Sequence, residues 1–404
     1  MKGIYKVGGC IRDELLGVPI KDVDYVAVGY KPEEFKGYKL VGKDFPVFLN
    51  ENNEEIALAR TERKSGIGYK GFQVNIENVT LKEDLARRDL TINSIAKIGD
   101  EYIDYFGGIE DLKNKVLRHT TEAFAEDALR VLRLARFYAR YEGFTIAPET
   151  ILLCRSLRDE LRSLTKERVT IELRKVLKDG RAYLFFECLR DIGVLDILFP
   201  EIFDMIGYEH NNIYHMEGDV FNHTMLALRE NKSSSWLVGL GILFHDAGKR
   251  LSFERYGNFH SHYSDEMVDE VVSGLRERYR FSGEELRVIH FSIKYHHFLH
   301  KIKDMNVKNI VKKMMARDFP RNVTEMSILI DVEKADCCGR ILLVDGELIS
   351  GRESFSGNDW ILSAYQAVKS AKAVVVKGSV EMIKQNLLSV RKKAYKEACD
   401  AKRD

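Results

Sequence analysis

The spacing of apolar residues changes once along this chain of 404 residues, between about residues 108 and 122. Before that point, runs with the two-residue period of a strand alternate with helical segments; the predicted strands are Val23–Val28, Ile56–Arg60 and the alternating Phe72, Val74 and Ile76. Beyond it, helical periodicity continues to the end, with only six prolines in the whole chain. The sequence therefore predicts an α+β fold, in which a head with a small sheet precedes an all-helical remainder.

The length predicts several domains, because 404 residues exceed what one ordinary hydrophobic core supports. We expect a head, a helical neck, a histidine-bearing body and a helical tail, at residues 1–115, 116–195, 196–345 and 346–404. Gly99-Asp100, between two short apolar runs, predicts a tight hairpin near the end of the head.

Composition narrows the class of protein. A net charge of +1 argues against a chain that coats nucleic acid indiscriminately, although a local basic stripe can still contact phosphates. The longest apolar run, Trp236–Phe244, is too short to span a membrane, and Met1-Lys2-Gly3 lacks a signal-peptide pattern. The six cysteines have neither disulfide nor metal-ligand spacing. We therefore expect reduced thiols, no membrane association and a cytoplasmic location.

Two glycines and two carboxylates near the amino terminus carry the first functional argument. Gly8-Gly9 precedes a short helical segment, and glycine lets backbone N–H groups approach a phosphate closely. Asp22 and Asp24, at the head of a predicted strand, would project to one face roughly 6–7 Å apart. This arrangement suits Mg²⁺ ions that bridge nucleotide phosphates. Taken alone, Asp-x-Asp is more often a solvated turn.

The segment Arg60–Gly71 contains three glycines and four cations, so it cannot bury a core. It is predicted to be either a mobile loop near the site or an ordinary surface turn.

The run from Arg87-Arg88 to Asn93 is a second polar group. It places Asp89 and Asn93 four apart, on one face near a helix start. The arginines could hold a triphosphate while the carboxylate and the amide take a ribose 2′-hydroxyl. The alternative is that Asp89 caps its own helix and the arginines are solvated.

The helix predicted from Glu126 to about Arg140 carries cations on one face and apolar side chains on the other. The basic stripe comprises Arg130, Arg133, Arg136 and Arg140, and the positions expected to face inward are Leu129, Leu132, Ala135 and Phe137. Asp127 and Arg130, three apart, are expected to lie side by side. Because a carboxylate only accepts hydrogen bonds and arginine only donates them, the pair matches cytosine and adenine and mismatches uracil and guanine. The alternative for such a stripe is a solvated face.

Glu167-Arg168 with Glu172 forms a further charged group near Thr165, a predicted N-cap. It could brace the pair of Asp127 and Arg130 or form an exposed salt bridge of little consequence. The sequence alone favours the exposed salt bridge.

Histidines and carboxylates are spread through the predicted helices of the body: His223, His245-Asp246, His260, His262, His296 and Asp336. Neutral imidazole and carboxylate are ligands that transition metals choose, and a buried His-Asp pair needs compensation. Because the spacing is irregular, scattered surface histidines are the alternative.

Together these stretches resemble the bacterial class II tRNA nucleotidyltransferases, or CCA-adding enzymes, that carry an appended HD domain. In roughly residues 4–200 the matching stretches are Val7–Asp13, Lys21–Asp24, Asp44–Phe48, Ala59–Arg63, Arg87–Asn93, Glu126–Arg130, and Glu167-Arg168 with Glu172. The HD resemblance rests on His215–Val220, His223, His245–Lys249 and Ala335-Asp336.

The resemblance implies a polymerase-β-like nucleotidyltransferase head followed by an all-α neck, an HD-type body and a tail. It implies template-independent addition of CCA to the tRNA 3′ end from CTP and ATP, by a monomer or homodimer. Asp22 and Asp24 would be catalytic and bind Mg²⁺. The implied nucleotide-binding residues are Gly8, Gly9, Arg12, Arg88, Asp89, Asn93, Asp127, Arg130, Arg133 and Arg136. Arg60–Gly71 resembles the flexible loop of the family.

For the HD region the resemblance implies phosphatase, 2′-nucleotidase and 2′,3′-cyclic phosphodiesterase activities that would repair tRNA ends. The ligands of a divalent transition metal ion, with Ni²⁺ as one candidate, would be His223, His245, Asp246 and Asp336, with His260, His262 and His296 as further candidates. The alternatives are a poly(A) polymerase, an enzyme that adds only C or only A, and an HD phosphohydrolase whose head merely binds RNA.

Overall fold

The computed structural model describes residues 2–41, 46–64, 72–209, 213–354, 359–372 and 379–401. The chain divides into two compact units. The first comprises Met1–Val169 and Cys188–Leu198, and the second comprises Thr170–Glu187 and Phe199–Asp404.

Short strands and helices alternate at the start of the chain, and helices follow. From the start of the chain to Leu198 the elements are β1 Gly3–Val7, α1 Gly9–Leu15, β2 Asp24–Val28, β3 Lys39–Val41, β4 Val47–Leu49, β5 Glu55–Leu58, β6 Thr61–Lys64, β7 Phe72–Asn75, α2 Leu81–Ala86, β8 Ile95–Ile98, β9 Glu101–Asp104, α3 Gly108–Lys113, β10 Val116–Leu117, α4 Leu129–Arg140, β11 Thr145–Ile146, α5 Pro148–Ser156, α6 Arg158–Leu161, α7 Lys166–Lys178, α8 Ala182–Ile192 and α9 Leu195–Leu198.

The rest of the second unit is mainly helical. Its elements are α10 Pro200–Phe203, α11 Val220–Glu230, α12 Trp236–Phe244, α13 Lys249–Tyr256, α14 Asp265–Arg278, α15 Gly283–His300, α16 Val307–Met314, α17 Val323–Cys338, β12 Ile341–Val344, β13 Glu347–Ser350, α18 Gly351–Ser354, α19 Asp359–Ser370 and α20 Val380–Asp400. The predicted α+β class is confirmed.

A seven-stranded mixed sheet organises the first unit, in the order β3-β4-β5-β2-β1-β8-β9. Only β2 and β5 are parallel, and every other neighbouring pair in this sheet is antiparallel. In the pairing of β1 with β2, Val7 lies opposite Asp24. This register brings the glycines that follow Val7 next to the carboxylate that opens β2.

Alternation of side chains along the strands builds a core on each face of the sheet. Val26 and Val28 point to one face, where they pack in a buried cluster with Leu85 of α2. Ala27, between them, points to the other face and packs in a cluster with Phe48. The central strands are therefore covered on both sides, and their ends carry the polar residues.

Three local predictions can be compared with the strands. The hairpin at Gly99-Asp100 is confirmed, because β8 and β9 pair on either side of it. The predicted loop Arg60–Gly71 is wrong over Thr61–Lys64, which form β6 and pair antiparallel with β7. The remainder of that segment, residues 65–71, lies outside the described residues.

Two short strand pairs interrupt the region that was predicted to be wholly helical. β10 and β11 pair in parallel, and β12 and β13 form an antiparallel hairpin. All six cysteines are free, as expected. Within the described ranges, no helix combines the length and the apolar character that crossing a membrane requires.

Candidate functional site

One cavity of about 630 Å³ in the first unit, here called the first pocket, is lined by the residues predicted to bind nucleotide and Mg²⁺. Its lining comprises Gly8, Gly9, Arg12, Asp22, Asp24, Arg87, Arg88, Asp89, Asn93, Asp127, Leu129, Arg130, Arg133, Arg136, Phe137, Arg140 and Arg168. These residues come from motifs spread over most of the first unit. Cations dominate, so the cavity is suited to a polyanion.

Gly8 and Arg88 form one wall of the first pocket. Gly8 precedes α1 with a φ of +78°, a left-handed conformation that favours glycine. A Cβ at Gly8 would lie 2.7 Å from Arg88 Nη1, so the absence of a side chain makes room for the guanidinium. Arg88 donates to Asp84 at 3.3 Å, whereas its buried Nε lacks a hydrogen-bond partner among the described residues. Arg88 therefore retains capacity to bind an anion.

The two carboxylates Asp22 and Asp24 line the same cavity. Asp24 is the first residue of β2, and Asp22 precedes the strand. The surrounding walls desolvate Asp24 enough to raise its pKa above the usual value; Arg88 opposes this shift and Asp22 adds to it. A divalent cation would offset the repulsion between the two groups, and carboxylate oxygens are the donors that Mg²⁺ prefers. The residues present therefore fit such an ion.

Asp89 is held by a network of hydrogen bonds inside the pocket. Arg133 donates from Nε and Nη2 to Asp89 Oδ2 at 2.8 and 2.7 Å, and Asn93 Nδ2 donates to Oδ1 at 2.9 Å. Asn93 Oδ1 in turn accepts from Arg12 Nη1 at 2.5 Å. Burial alone would raise the pKa of Asp89, but Arg133 and the Asn93 amide lower it to about 2. The carboxylate is therefore ionised and fixed in position.

The predicted local structure around Asp89 is wrong, although the predicted meeting of Asp89 and Asn93 occurs. Asp89 lies in the turn after α2, and Thr91–Asn93 form a single 3₁₀ turn. The two side chains therefore meet across a turn, instead of along one face of an α-helix. The alternative of solvated arginines is also wrong, because Arg87 and Arg88 are largely buried and donate to Asp84 at 2.7 and 3.3 Å.

Asp127 pairs with Arg168, which is one of the two roles that the sequence left open for that arginine. Arg168 donates from Nη1 to Asp127 Oδ1 at 3.0 Å and from Nη2 to Oδ2 at 2.7 Å. Arg130 donates to the carbonyl of Ala123 at 2.5 Å. The expectation that Glu126 begins the helix is wrong, because α4 begins at Leu129. The backbone N–H of Leu129 donates a hydrogen bond to Asp127 Oδ1.

Arg168 is thus a pocket residue that the sequence did not assign to nucleotide binding. The favoured interpretation of an exposed salt bridge is wrong, and bracing of Asp127 is what the contacts show. Glu172, the third member of that charged group, pairs instead with Lys175 at 2.8 Å. The sequence offered both roles for Arg168, and the packing of α7 decides between them.

The arginine stripe of α4 faces the first pocket, as expected. Arg130, Arg133, Arg136 and Arg140 all line it. Leu132, Ala135 and Phe137 are buried as predicted, but Leu129 is half-buried and lines the cavity. The stripe is therefore part of the site and is more than a solvated face.

A second group of polar residues, here called the histidine cluster, lies buried in the second unit. It comprises His223, His245, Asp246, His262, His296 and Asp336. His223 Nε2 lies 3.0 Å from Asp336 Oδ1 and 3.4 Å from His245 Nε2. His245 Nε2 lies 3.2 Å from Asp246 Oδ2. The structure brings these four predicted ligands together, and the alternative of scattered surface histidines is wrong for them.

The ring orientations in the histidine cluster follow from backbone contacts. The Nδ1 atoms of His245, His262 and His296 lie 2.6, 2.6 and 2.7 Å from the carbonyl oxygens of Ile242, Phe259 and Ser292. A carbonyl only accepts, so each Nδ1 carries the proton and each Nε2 presents a lone pair. Rings held this way are typical of metal-ligating histidines.

Asp246 divides the cluster into two sets of donors. Its Oδ2 faces His245, while its Oδ1 lies 3.6 Å from His262 Nε2 and 3.7 Å from His296 Nε2. Asp246 Oδ1 and the Nε2 atoms of His262 and His296 are buried without a hydrogen-bond partner in the described part of the chain. Leaving three such atoms unpartnered is costly, so the donor set fits a divalent transition metal ion.

Electrostatics in the histidine cluster are consistent with cation binding. Burial lowers the pKa of His262 to about 4 and that of His296 well below its usual value, so both rings are neutral. Burial also opposes protonation of His223, but Asp336 and Glu217 raise its pKa to about 9. Positive charge is therefore favoured between these carboxylates.

Several neighbours of the cluster were missed as site residues. Glu217 Oε1 lies 2.8 Å from His223 Nδ1, and Lys249 Nζ donates to Asp246 Oδ2 at 2.6 Å. His297 lies within ligand distance of Asp246, His262 and His296. The side chain of His260, a further predicted candidate, lies outside the described residues.

Comparison with protein families matches two parts of the chain. The poly A polymerase head domain matches residues 4–118. A model described as the "probable RNA and SrmB-binding site of polymerase A" matches residues 143–206.

Known proteins resemble nearly the whole chain. A multifunctional CCA protein of Mannheimia succiniciproducens is 42% identical over 356 residues, which cover 83% of this chain and 84% of the relative. Another, from Acinetobacter baumannii, is 41% identical over 380 residues, which cover 91% and 90%. A solved Thermotoga maritima CCA-adding enzyme complexed with tRNA has a TM-score of 0.60 at 21% identity, covering 99% of this chain and 91% of its own.

Proposed function

This chain belongs to the family of multifunctional CCA proteins, and we infer that its first pocket adds CCA to the 3′ end of tRNA from CTP and ATP. The fold is that of a polymerase-β-like head followed by a helical region. The observation that carries the proposal is that all the residues predicted to bind nucleotide or Mg²⁺ line one cavity. The family uses a divalent metal ion, and we propose Mg²⁺ held by Asp22 and Asp24.

The chemistry that we propose is in-line attack of the tRNA 3′-hydroxyl on the α-phosphate, with pyrophosphate leaving. Mg²⁺ at Asp22 and Asp24 would supply charge stabilisation to the phosphates. Gly8 leaves space for Arg88, whose guanidinium would bind the triphosphate. Asp89 accepts hydrogen bonds from Leu90, Asn93 and Arg133, and it would exchange one of them for a ribose hydroxyl when nucleotide binds.

Selection of the base would rest on Asp127 and Arg130, acting as a protein template. Asp127 would accept from an exocyclic amino group, and Arg130 would donate to the adjacent ring nitrogen, a pattern that cytosine and adenine share. Arg168 holds Asp127 by two hydrogen bonds and so sets the direction of its free lone pairs. No nucleic-acid template is then required.

We propose tRNA as the macromolecular partner. Relatives solved with tRNA, with ATP and with CTP share this fold. The arginine stripe of α4 would supply contacts to the phosphates. We also propose the division of the chain into head, neck, body and tail at residues 1–115, 116–195, 196–345 and 346–404. We further propose a cytoplasmic enzyme that acts as a monomer or homodimer.

For the histidine cluster we propose an HD-type phosphohydrolase centre. His223, His245, Asp246 and Asp336 would hold a divalent transition metal ion, with Ni²⁺ as one candidate, and it would activate a water molecule toward a phosphate ester. The support is the convergence of Nε2 lone pairs on Asp246. Because Asp246 presents one oxygen to each set of donors, the cluster offers places for two ions.

One experiment tests nucleotide addition. The protein is incubated with Mg²⁺, labelled CTP or ATP, and tRNA that ends either at the discriminator base or in CC. Two C residues on the first tRNA and a single A on the second are expected. Long A tracts would indicate a poly(A) polymerase, use of only one nucleotide would indicate a partial enzyme, and no incorporation would leave an RNA-binding head.

A second experiment tests whether the two sites are separable. Asp22→Ala is expected to abolish nucleotide addition and to spare hydrolysis of a 2′,3′-cyclic nucleotide. His245→Ala is expected to do the reverse. Loss of both activities in either variant would contradict two independent centres.

A further inference from the structure

Three potential metal ligands lie together outside the histidine cluster, at the end of α15 and on α17. His300 is the last residue of α15, and Glu333 and Cys337 are one turn apart on α17. Cys337 Sγ lies 3.1 Å from His300 Nδ1 and 3.7 Å from Glu333 Oε1. His300 Nδ1 lies 3.4 Å from the same Glu333 oxygen. The three atoms thus form a nearly equilateral triangle.

The size of this triangle can be compared with known metal geometry. A zinc-like ion binds sulfur at ~2.3 Å and nitrogen or oxygen at ~2.0–2.2 Å, in tetrahedral arrangement. Two ligands of one such ion are therefore separated by about 3.3–3.6 Å. The measured separations of 3.1, 3.4 and 3.7 Å surround that range.

We propose that His300, Glu333 and Cys337 bind a soft divalent cation of the Zn²⁺ class, at a site separate from the histidine cluster. The sulfur ligand sets the chemical class, because thiolate favours zinc-like ions over Mg²⁺. Binding breaks the S–H bond of Cys337 and forms a sulfur–metal bond, and the proton leaves to solvent. Water would complete the coordination.

The surroundings of His300 connect this site to the histidine cluster. His300 Nε2 lies 2.7 Å from Asp336 Oδ2 and 2.8 Å from Arg340 Nη2. Asp336 uses its other oxygen toward His223. A guanidinium only donates, so Arg340 Nη2 donates to Nε2 in the structure and Nδ1 carries the ring proton. An ion on Nδ1 moves that proton to Nε2, which then donates to Asp336, while Arg340 gives up Nε2 and keeps its bonds to Asp336 Oδ1 and Oδ2 at 3.3 and 2.8 Å. Occupancy would therefore fix the orientation of a ligand of the neighbouring centre.

The test uses Co²⁺ as a spectroscopic substitute for Zn²⁺, added to the full-length reduced protein. Bound thiolate gives a sulfur-to-cobalt charge-transfer band in the near ultraviolet, which the nitrogen and oxygen donors of the histidine cluster cannot produce. The band is expected in the unaltered protein, and added Zn²⁺ should remove it. Cys337→Ser should abolish the band, whereas Cys338→Ser, the adjacent cysteine on α17, should retain it.

A second variant and a second readout keep folding defects apart from loss of the site. His300→Gln should weaken Co²⁺ binding at least tenfold while far-ultraviolet circular dichroism stays unchanged. Zn²⁺ should slow alkylation of Cys337 at least tenfold and leave the alkylation rate of Cys399 unchanged, as measured by peptide mass spectrometry. No band in the unaltered protein, or a band that persists in Cys337→Ser, would overturn the proposal.

Discussion

Arg168 and Asp127 are joined by two parallel hydrogen bonds, 3.0 and 2.7 Å long, although 41 positions separate them in the chain. Asp127 Oδ1 also accepts the backbone N–H of Leu129 at 3.1 Å. A carboxylate has about four acceptor positions, so these three bonds leave one direction for a base. The guanidinium therefore decides where Asp127 can recognise an amino group.

Arg168→Gln should reduce discrimination between CTP and UTP. The Asp127 carboxylate loses both charge-assisted bonds and its fixed orientation. We expect kcat/KM for CTP to fall roughly tenfold or more, with UTP much less affected. The measurement is single-nucleotide addition to tRNA that lacks its CCA end, with the exposed Arg162→Gln as the control. Equal losses for both nucleotides would show that Arg168 does not affect base selection.

Gly8→Ala should weaken nucleotide binding because the new Cβ would lie 2.7 Å from Arg88 Nη1. Gly17→Ala is a matched control: its φ of +68° is also left-handed, but a Cβ there has nothing within 4 Å. Both variants should lose about 1 kcal/mol of stability from backbone strain. Only Gly8→Ala should raise the KM for CTP severalfold. Similar KM values in the two variants would exclude a role for the space beside Arg88.

The residue types of the first pocket were predictable from sequence, because short motifs carry the chemistry itself. Two glycines before a helix and two carboxylates at a strand supply the groups that a phosphate and metal site needs. These groups can be recognised in the sequence without knowledge of how the chain packs around them. The sequence left the role of Arg168 open and favoured the wrong alternative, because its bond to Asp127 depends on how α7 packs in the first unit. Local spacing cannot decide whether two charged groups 41 residues apart meet.

In the histidine cluster, too, the sequence identified the kind of site but not the exact ligands. Residue types indicated metal binding, but the register among His260, His262 and His296 stayed open. The contacts of Nδ1 with the carbonyl oxygens of Phe259 and Ser292 decide which rings present Nε2 to Asp246. Those contacts depend on ring rotation, which sequence does not record.

Asp89 should make the stability of the protein depend on acid pH. Its pKa is about 2 in the folded chain against 3.8 ordinarily, so folding favours the ionised form. This contribution, about 2 kcal/mol, is present above pH ~4 and is lost as the pH falls toward 2. The difference in unfolding free energy between the unaltered protein and Asp89→Asn should therefore shrink between pH 4.5 and 3, as measured by urea unfolding. The exposed Asp159→Asn should show no such change, and a constant difference for Asp89→Asn would contradict the assigned pKa.

Glu217 should strengthen metal binding without touching the metal. Its Oε1 lies 2.8 Å from both His223 Nδ1 and His215 Nδ1, and its Oε2 accepts the N–H of Ile341 at 2.9 Å. A carboxylate behind a ligating imidazole orients the ring and raises its basicity, an effect worth about 10–100-fold in metal affinity. Glu217→Gln should therefore weaken Ni²⁺ binding by that factor.

Competition with a chromogenic chelator gives the affinity, and a Cys337→Ser background restricts the signal to the histidine cluster. The exposed Glu209→Gln is the matched control and should bind Ni²⁺ as the background protein does. The rate of nucleotide addition should stay within twofold of the background protein in both Glu217→Gln and Glu209→Gln. This result would separate a positioning role of Glu217 from general unfolding. Unchanged Ni²⁺ affinity in Glu217→Gln would mean that His223 is oriented by its contact with Asp336 alone.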